Sequence, residues 1–132
     1  MIRYNWIEGG NHQVDLVDAD DPLIYTDTRY GETFVYGNVL VEPDDAGSRV
    51  ILHYGGDSGN TTNYRQGTFY FYHNTVASHR TSSTTLLQLS TANQAANVRN
   101  NAMYLSVGTS SLSILLEHGP DKLTQNLLPL GW

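Results

Sequence analysis

The chain has 132 residues, a length that suits one domain spanning 1–132, and sets 7 Lys and Arg against 13 Asp and Glu for a formal net charge of −6. Its single lysine, Lys122, leaves it without the clustered cations that phosphate binding draws on, so no nucleic-acid partner is expected. No apolar run reaches the roughly eighteen residues of a membrane span, MIRYNWIEGG lacks the pattern of a secretory signal, and the absence of cysteine removes disulfides, thiolate zinc sites and thiol nucleophiles together.

The first element is the phrase IRYNWI around Asn5. It returns as VYGNVL at Asn38, FYHNTV at Asn74, VRNNAM at Asn101 and LTQNLL at Asn126. Three residues before each Asn stands Ile2, Val35, Phe71, Val98 or Leu123, and two after it Ile7, Leu40, Val76, Met103 or Leu128, all apolar. Between these phrases a second strand type follows the first four asparagines: QVDLVD, RVILHY, TLLQLS and SILLEH. Period-two alternation predicts Val14 and Leu16, Val50 and Leu52, Leu87 and Leu89, and Ile114 and Leu116 as their inward residues. The connecting segments DADDP (18–22), EPDDAGS (42–48), GGDSGNTTN (55–63) and SHRTSST (78–84) are breaker clusters. Only 92–98 offers a short helical window. Asn60 opens an NTT glycosylation sequence, which has meaning only on a eukaryotic export route.

An asparagine recurring about every 25 to 36 residues falls within the range of stacked-coil architectures. Its amide both donates and accepts, and it tolerates the left-handed backbone of a tight corner, so a column of Asn5, Asn38, Asn74, Asn101 and Asn126 is expected to bond from coil to coil as a ladder. Two strand types repeating in one order favour parallel stacking over hairpins. The stretch from Asn5 to Thr75, in RYNWIEGGNHQVDLVDA, ETFVYGNVLVEP, HYGGDSGN and YRQGTFYFYHNTVAS, resembles the right-handed parallel β-helix proteins related to pectate and other polysaccharide lyases. The expected fold is therefore all-β, a right-handed parallel β-helix of about four to five coils; an antiparallel β-sandwich with long loops is the alternative. The chain resembles a C-terminal portion of such a protein. Its first coil is expected to be covered by a second copy in a homo-oligomer, most simply a two-fold dimer, while LLPLGW, with Leu127, Leu128, Leu130 and Trp132, is the other candidate cap.

The resemblance implies chemistry in which a base takes the proton beside a uronate carboxylate while a cation, calcium or arginine, neutralises that carboxylate. Candidates for such roles are His53, Asp57 and Arg65; no segment matches a lyase motif, and a turn histidine is the plainer reading of His53. GGDSGN lacks the lysine and helix of a phosphate loop. The acidic loops lack the spacing of a dedicated calcium site, so no metal or cofactor is expected beyond a weak calcium possibility. The ligand-binding candidates are Tyr36 and Tyr72, which share a column and offer rings for stacking on sugars, with Asp15 and Asp18. The function expected is a noncatalytic, self-associating module that binds an oligosaccharide or polysaccharide; the alternative is a remnant or subunit of a polysaccharide lyase or hydrolase whose site another chain completes.

Overall fold

A computed structural model describes residues 1–18, 24, 27–106, 112–116 and 121–128. These residues are almost wholly β. Thirteen strands fall into three sheets, and the turn of 3-10 helix at Thr28–Gly31 stands before the fourth strand. The first sheet holds β1 (Ile2–Arg3), β4 (Glu32–Tyr36), β7 (Gly67–Tyr72), β10 (Gln94–Arg99) and β13 (Asp121–Thr124). The second holds β2 (Trp6–Glu8), β5 (Val39–Glu42), β8 (Thr75–Ser78) and β11 (Ala102–Leu105), and the third β3 (Val14–Leu16), β6 (Val50–Tyr54), β9 (Thr84–Leu89) and β12 (Leu112–Leu116). Each strand pairs with the one three places later in the chain, always in parallel. The described strands form no antiparallel pair, so the sandwich alternative finds no sheet to support it.

Each asparagine phrase is two strands joined at a corner. The residue immediately before the Asn takes the left-handed backbone: Tyr4 at φ 58°, Gly37 at 66°, His73 at 55°, Asn100 at 54° and Gln125 at 56°. The corner conformation thus belongs to the preceding residue and not to the asparagine, correcting the expectation above. The asparagine has a different task, hydrogen bonding. Asn5 gives both its backbone N–H and its Nδ2–H to Asn38 Oδ1, each at 3.0 Å. Asn38 does the same to Asn74, Asn74 to Asn101 and Asn101 to Asn126, over 2.9–3.1 Å. Buried amides at 1–2% exposure are therefore paired in Asn38, Asn74 and Asn101.

The corner sets the inward columns. Ile2, Val35, Phe71, Val98 and Leu123 share one register column, and Ile7, Leu40, Val76 and Met103 another. Val35, Leu40, Phe71 and Val76 are fully buried, each worth roughly 1.5–3 kcal/mol of apolar burial. In the third sheet the register departs from expectation. Val14 aligns with Leu52, Leu87 and Leu115, and Leu16 with Tyr54 and Leu89, so Val50 lies opposite Thr85 and Leu116 falls in the column of Gln88. The 92–98 window is a correction too. Burial of Gln94, Ala96 and Val98 and full pairing with β7 make it strand β10, tertiary pairing overriding a weak local preference. Leu127 bridges Ala102, yet it is 72% exposed and Leu128 39%, so these two are not packed into the core; Leu130 and Trp132 lie outside the described residues.

Candidate functional site

Two outward faces bring chemistry together. On the first sheet, in-register parallel pairing sets Arg3, Tyr36, Tyr72, Arg99 and Thr124 in one column and Phe34, Tyr70, Asn97 and Lys122 in the next. Tyr36 and Tyr72 stack with centroids 5.0 Å apart and planes 7° from parallel; Phe34 and Tyr70 stack at 4.8 Å and 9°. Strands about 4.8 Å apart impose that spacing. Rings so close cover one another's faces, so the solvent side of the patch carries ring edges and phenol hydroxyls. Stacking turns one face of each ring toward its neighbour, which leaves only the other face of Tyr36 and of Tyr72 for the expected contact with a sugar. Cations stand at both ends: Arg3 Nη1 donates to the Tyr36 hydroxyl at 3.3 Å, and the Arg99 guanidinium lies 5.6 Å from the Tyr72 ring centre.

The acidic ligand-binding candidates are elsewhere. Asp15 lies on β3 in the third sheet, and Asp18 accepts from the backbone N–H groups of Asp57 and Ser58 and from the Ser58 hydroxyl, at 3.1–3.2 Å. Asp18 is thus the anchor of the 56–58 loop. The four residues Tyr36, Tyr72, Asp15 and Asp18 form no single site.

The second face centres on His53. Register places it directly opposite Asp15, and both belong to the outward column of the third sheet with Gln88. His53 Nδ1 lies 3.2 Å from Asp15 Oδ1, and its Nε2 lies 3.0 Å from Ser90 Oγ, which also accepts the Gly56 N–H at 3.0 Å. The ring of His12 stands 5.4 Å from that of His53, its own Nδ1 2.7 Å from the Val50 carbonyl. The His53 side chain is 5% exposed, against 45% for Asp15. Burial pushes the His53 pKa below its ordinary value; the Asp15 carboxylate opposes this and nearby His12 adds to it, leaving a neutral imidazole at pH 7. The sequence reading singled out neither His12 nor Ser90.

Asp15, His53 and Ser90 follow the atom order of a hydrolase relay. The serine, however, is hemmed in. Its Oγ takes the Gly56 N–H, and a Cβ placed on Gly55 would stand 2.6 Å from that oxygen and 2.7 Å from the serine Cβ. A nucleophile needs its oxygen facing open space and oxyanion donors beyond it. Here the nearest N–H points at the serine itself, so Ser90 acts as a partner that orients His53.

The expected trio of His53, Asp57 and Arg65 does not converge. Asp57 is exposed on the loop beyond β6, close enough to favour the charged form of His53. Arg65 turns toward the first sheet: its Nε donates to Thr33 Oγ1 at 3.1 Å, and its guanidinium lies 4.3 Å over the Tyr30 ring. There it lines a cleft of about 450 Å³ with Ile24, Asp27, Arg29 and Tyr30.

Among the described residues no helix is long and apolar enough to cross a membrane. No family model matches the chain, and neither a curated protein nor a solved structure matches it.

Proposed function

We propose that the chain is a right-handed parallel β-helix of the kind found among pectate-lyase-like proteins, serving as a noncatalytic, self-associating module that binds an extended acidic polysaccharide along its first sheet. The observation that carries this reading is the hydroxyl edge of Tyr36, Tyr70 and Tyr72 between Arg3, Arg99 and Lys122. Its repeat across the strands is about 4.8 Å, comparable to one sugar unit, so a chain laid across the strands meets one residue of a column at each step. Phenol hydroxyls exchange hydrogen bonds with sugar hydroxyls, and the guanidinium groups at either end pair with uronate carboxylates. Exposed Met1, Tyr4 and Trp6 along the outer edges of β1 and β2 support self-association there, with a second copy as the occupant.

Calorimetric titration with polygalacturonate and with a neutral glucan tests the proposal. Binding of the uronate polymer, weakened about tenfold in Arg99→Ser and in Tyr72→Phe with melting temperature little changed, is the expected result. Equal affinity for both polymers, or no binding to either, sinks it.

A further inference from the structure

We infer that His12, Asp15 and His53 form a binding site for a first-row divalent transition metal, zinc foremost. Each offers one ligand atom, and the three atoms lie within 4.8 Å of one another. Four-coordinate zinc, with bonds of about 2.0–2.1 Å, sets its ligand atoms about 3.3 Å apart. The 3.2 Å between Asp15 Oδ1 and His53 Nδ1 already matches one such edge.

The groups behind the ligands point the same way. The Val50 carbonyl can only accept, so His12 Nδ1 carries the proton and Nε2 keeps the lone pair. Behind His53, Ser90 Oγ faces Nε2 and leaves Nδ1 toward Asp15. Metal-binding histidines characteristically give their second nitrogen to such an oxygen, which fixes ring and tautomer. Without metal, Nδ1–H donates to Asp15 and the serine hydroxyl donates to Nε2. With metal on Nδ1, the proton sits on Nε2 and the serine accepts it, a reversal that a hydroxyl makes by rotating its hydrogen alone. Gly56 N–H donates to the same oxygen in both states and holds it in place.

The placement is firm where it must be and open where it should be. Asp15 and His53 sit on paired strands, and His53 forms a dry floor beneath a half-exposed Asp15, leaving room for water in a fourth position. Two imidazoles and one carboxylate suit zinc, nickel or cobalt and are poor ligands for calcium or magnesium. The weak calcium expectation from the acidic loops is not favoured by the residues described there: Asp18 holds the 56–58 loop and Asp44 accepts from the Thr81 N–H and hydroxyl. Bound metal would clip β3, which pairs with β6 alone, to its neighbour.

Chelator-treated protein titrated with zinc, read by melting temperature, and with cobalt, read by visible absorption, tests the site. Wild type is expected to melt several degrees higher in micromolar zinc and to show the intense bands of four-coordinate cobalt. His12→Gln and Asp15→Asn, both on partly exposed side chains, are expected to fold with metal-free melting temperatures near wild type and to lose both signals, as is His53→Gln. Absence of the zinc shift in wild type, its retention in His12→Gln or Asp15→Asn, or an equal shift with calcium overturns the proposal.

Discussion

Every polar atom of the Asn74 side chain is engaged. Nδ2–H bonds reach the carbonyls of Val35 and Tyr72 and Asn101 Oδ1, while its own Oδ1 receives the backbone and side-chain N–H of Asn38. Replacing Asn74 by Leu strands a buried N–H and two carbonyls at about 1–3 kcal/mol apiece, partly relieved by relaxation, so a loss of roughly 3 kcal/mol or more in denaturant unfolding is expected. Asn5→Leu, at the exposed end of the column, should cost less than about 1 kcal/mol. Equal costs at the two positions would contradict the ladder as a source of stability. Tyr54 gives a second test at this scale. It is fully buried, its hydroxyl donates to the Gln66 carbonyl at 2.8 Å, and burial pushes its pKa above the ordinary 10.0, against weaker opposition from Thr33 and Arg65. A folded pKa above the unfolded one means stability present below pH 10 and lost as pH rises through the folded value. Melting temperature should therefore drop through that alkaline window, and Tyr54→Phe should flatten the drop.

At the scale of elements, the asparagine phrase was legible because apolar residues three before and two after a fixed polar residue mark a strand, a corner and a strand. The third sheet was not. Aligning Val14 with Val50 in place of Leu52 is a two-residue slip, which leaves every side chain on its proper face and so escapes a pattern of period two. That slip hid the pairing of Asp15 with His53, and with it the His12 cluster. In β12 it is Leu115, not Ile114, that aligns in register with Leu87. The start of β7 shows what holds a register in place. Gly67 has φ 88°, and a Cβ there would stand 2.0 Å from the Gly31 carbonyl oxygen. Gly67→Ala should destabilise by about 2 kcal/mol or more, since backbone and not a flexible side chain must yield. A melting temperature within a degree of wild type would show that the 31–67 approach is not tight.

For the whole molecule, three parallel sheets share one apolar core, and among the described residues strands β1, β2 and β3 each have a neighbour on one side only. Tyr4 at 74% and Trp6 at 68% exposure lie on that edge. Light scattering is expected to give a dimer mass for wild type and a monomer mass for Trp6→Ser with Tyr4→Ser; a monomeric wild type at tens of micromolar would contradict self-association. The all-β, parallel-sheet architecture was readable at this scale because its repeat is written five times, whereas ligands depend on side chains that occur once. The ladder carries one further consequence. From Asn5 to Asn101 each asparagine donates to the Oδ1 of the next, so the ladder is a vector whose Asn5 end differs from its Asn126 end. Two copies meeting coaxially by like ends would set the two vectors against each other. Unlike ends match, but head-to-tail joining without closing rotation grows without limit. The direction of five amides thus separates finite partnership, in which copies meet off the column's axis, from polymerisation into a fibre.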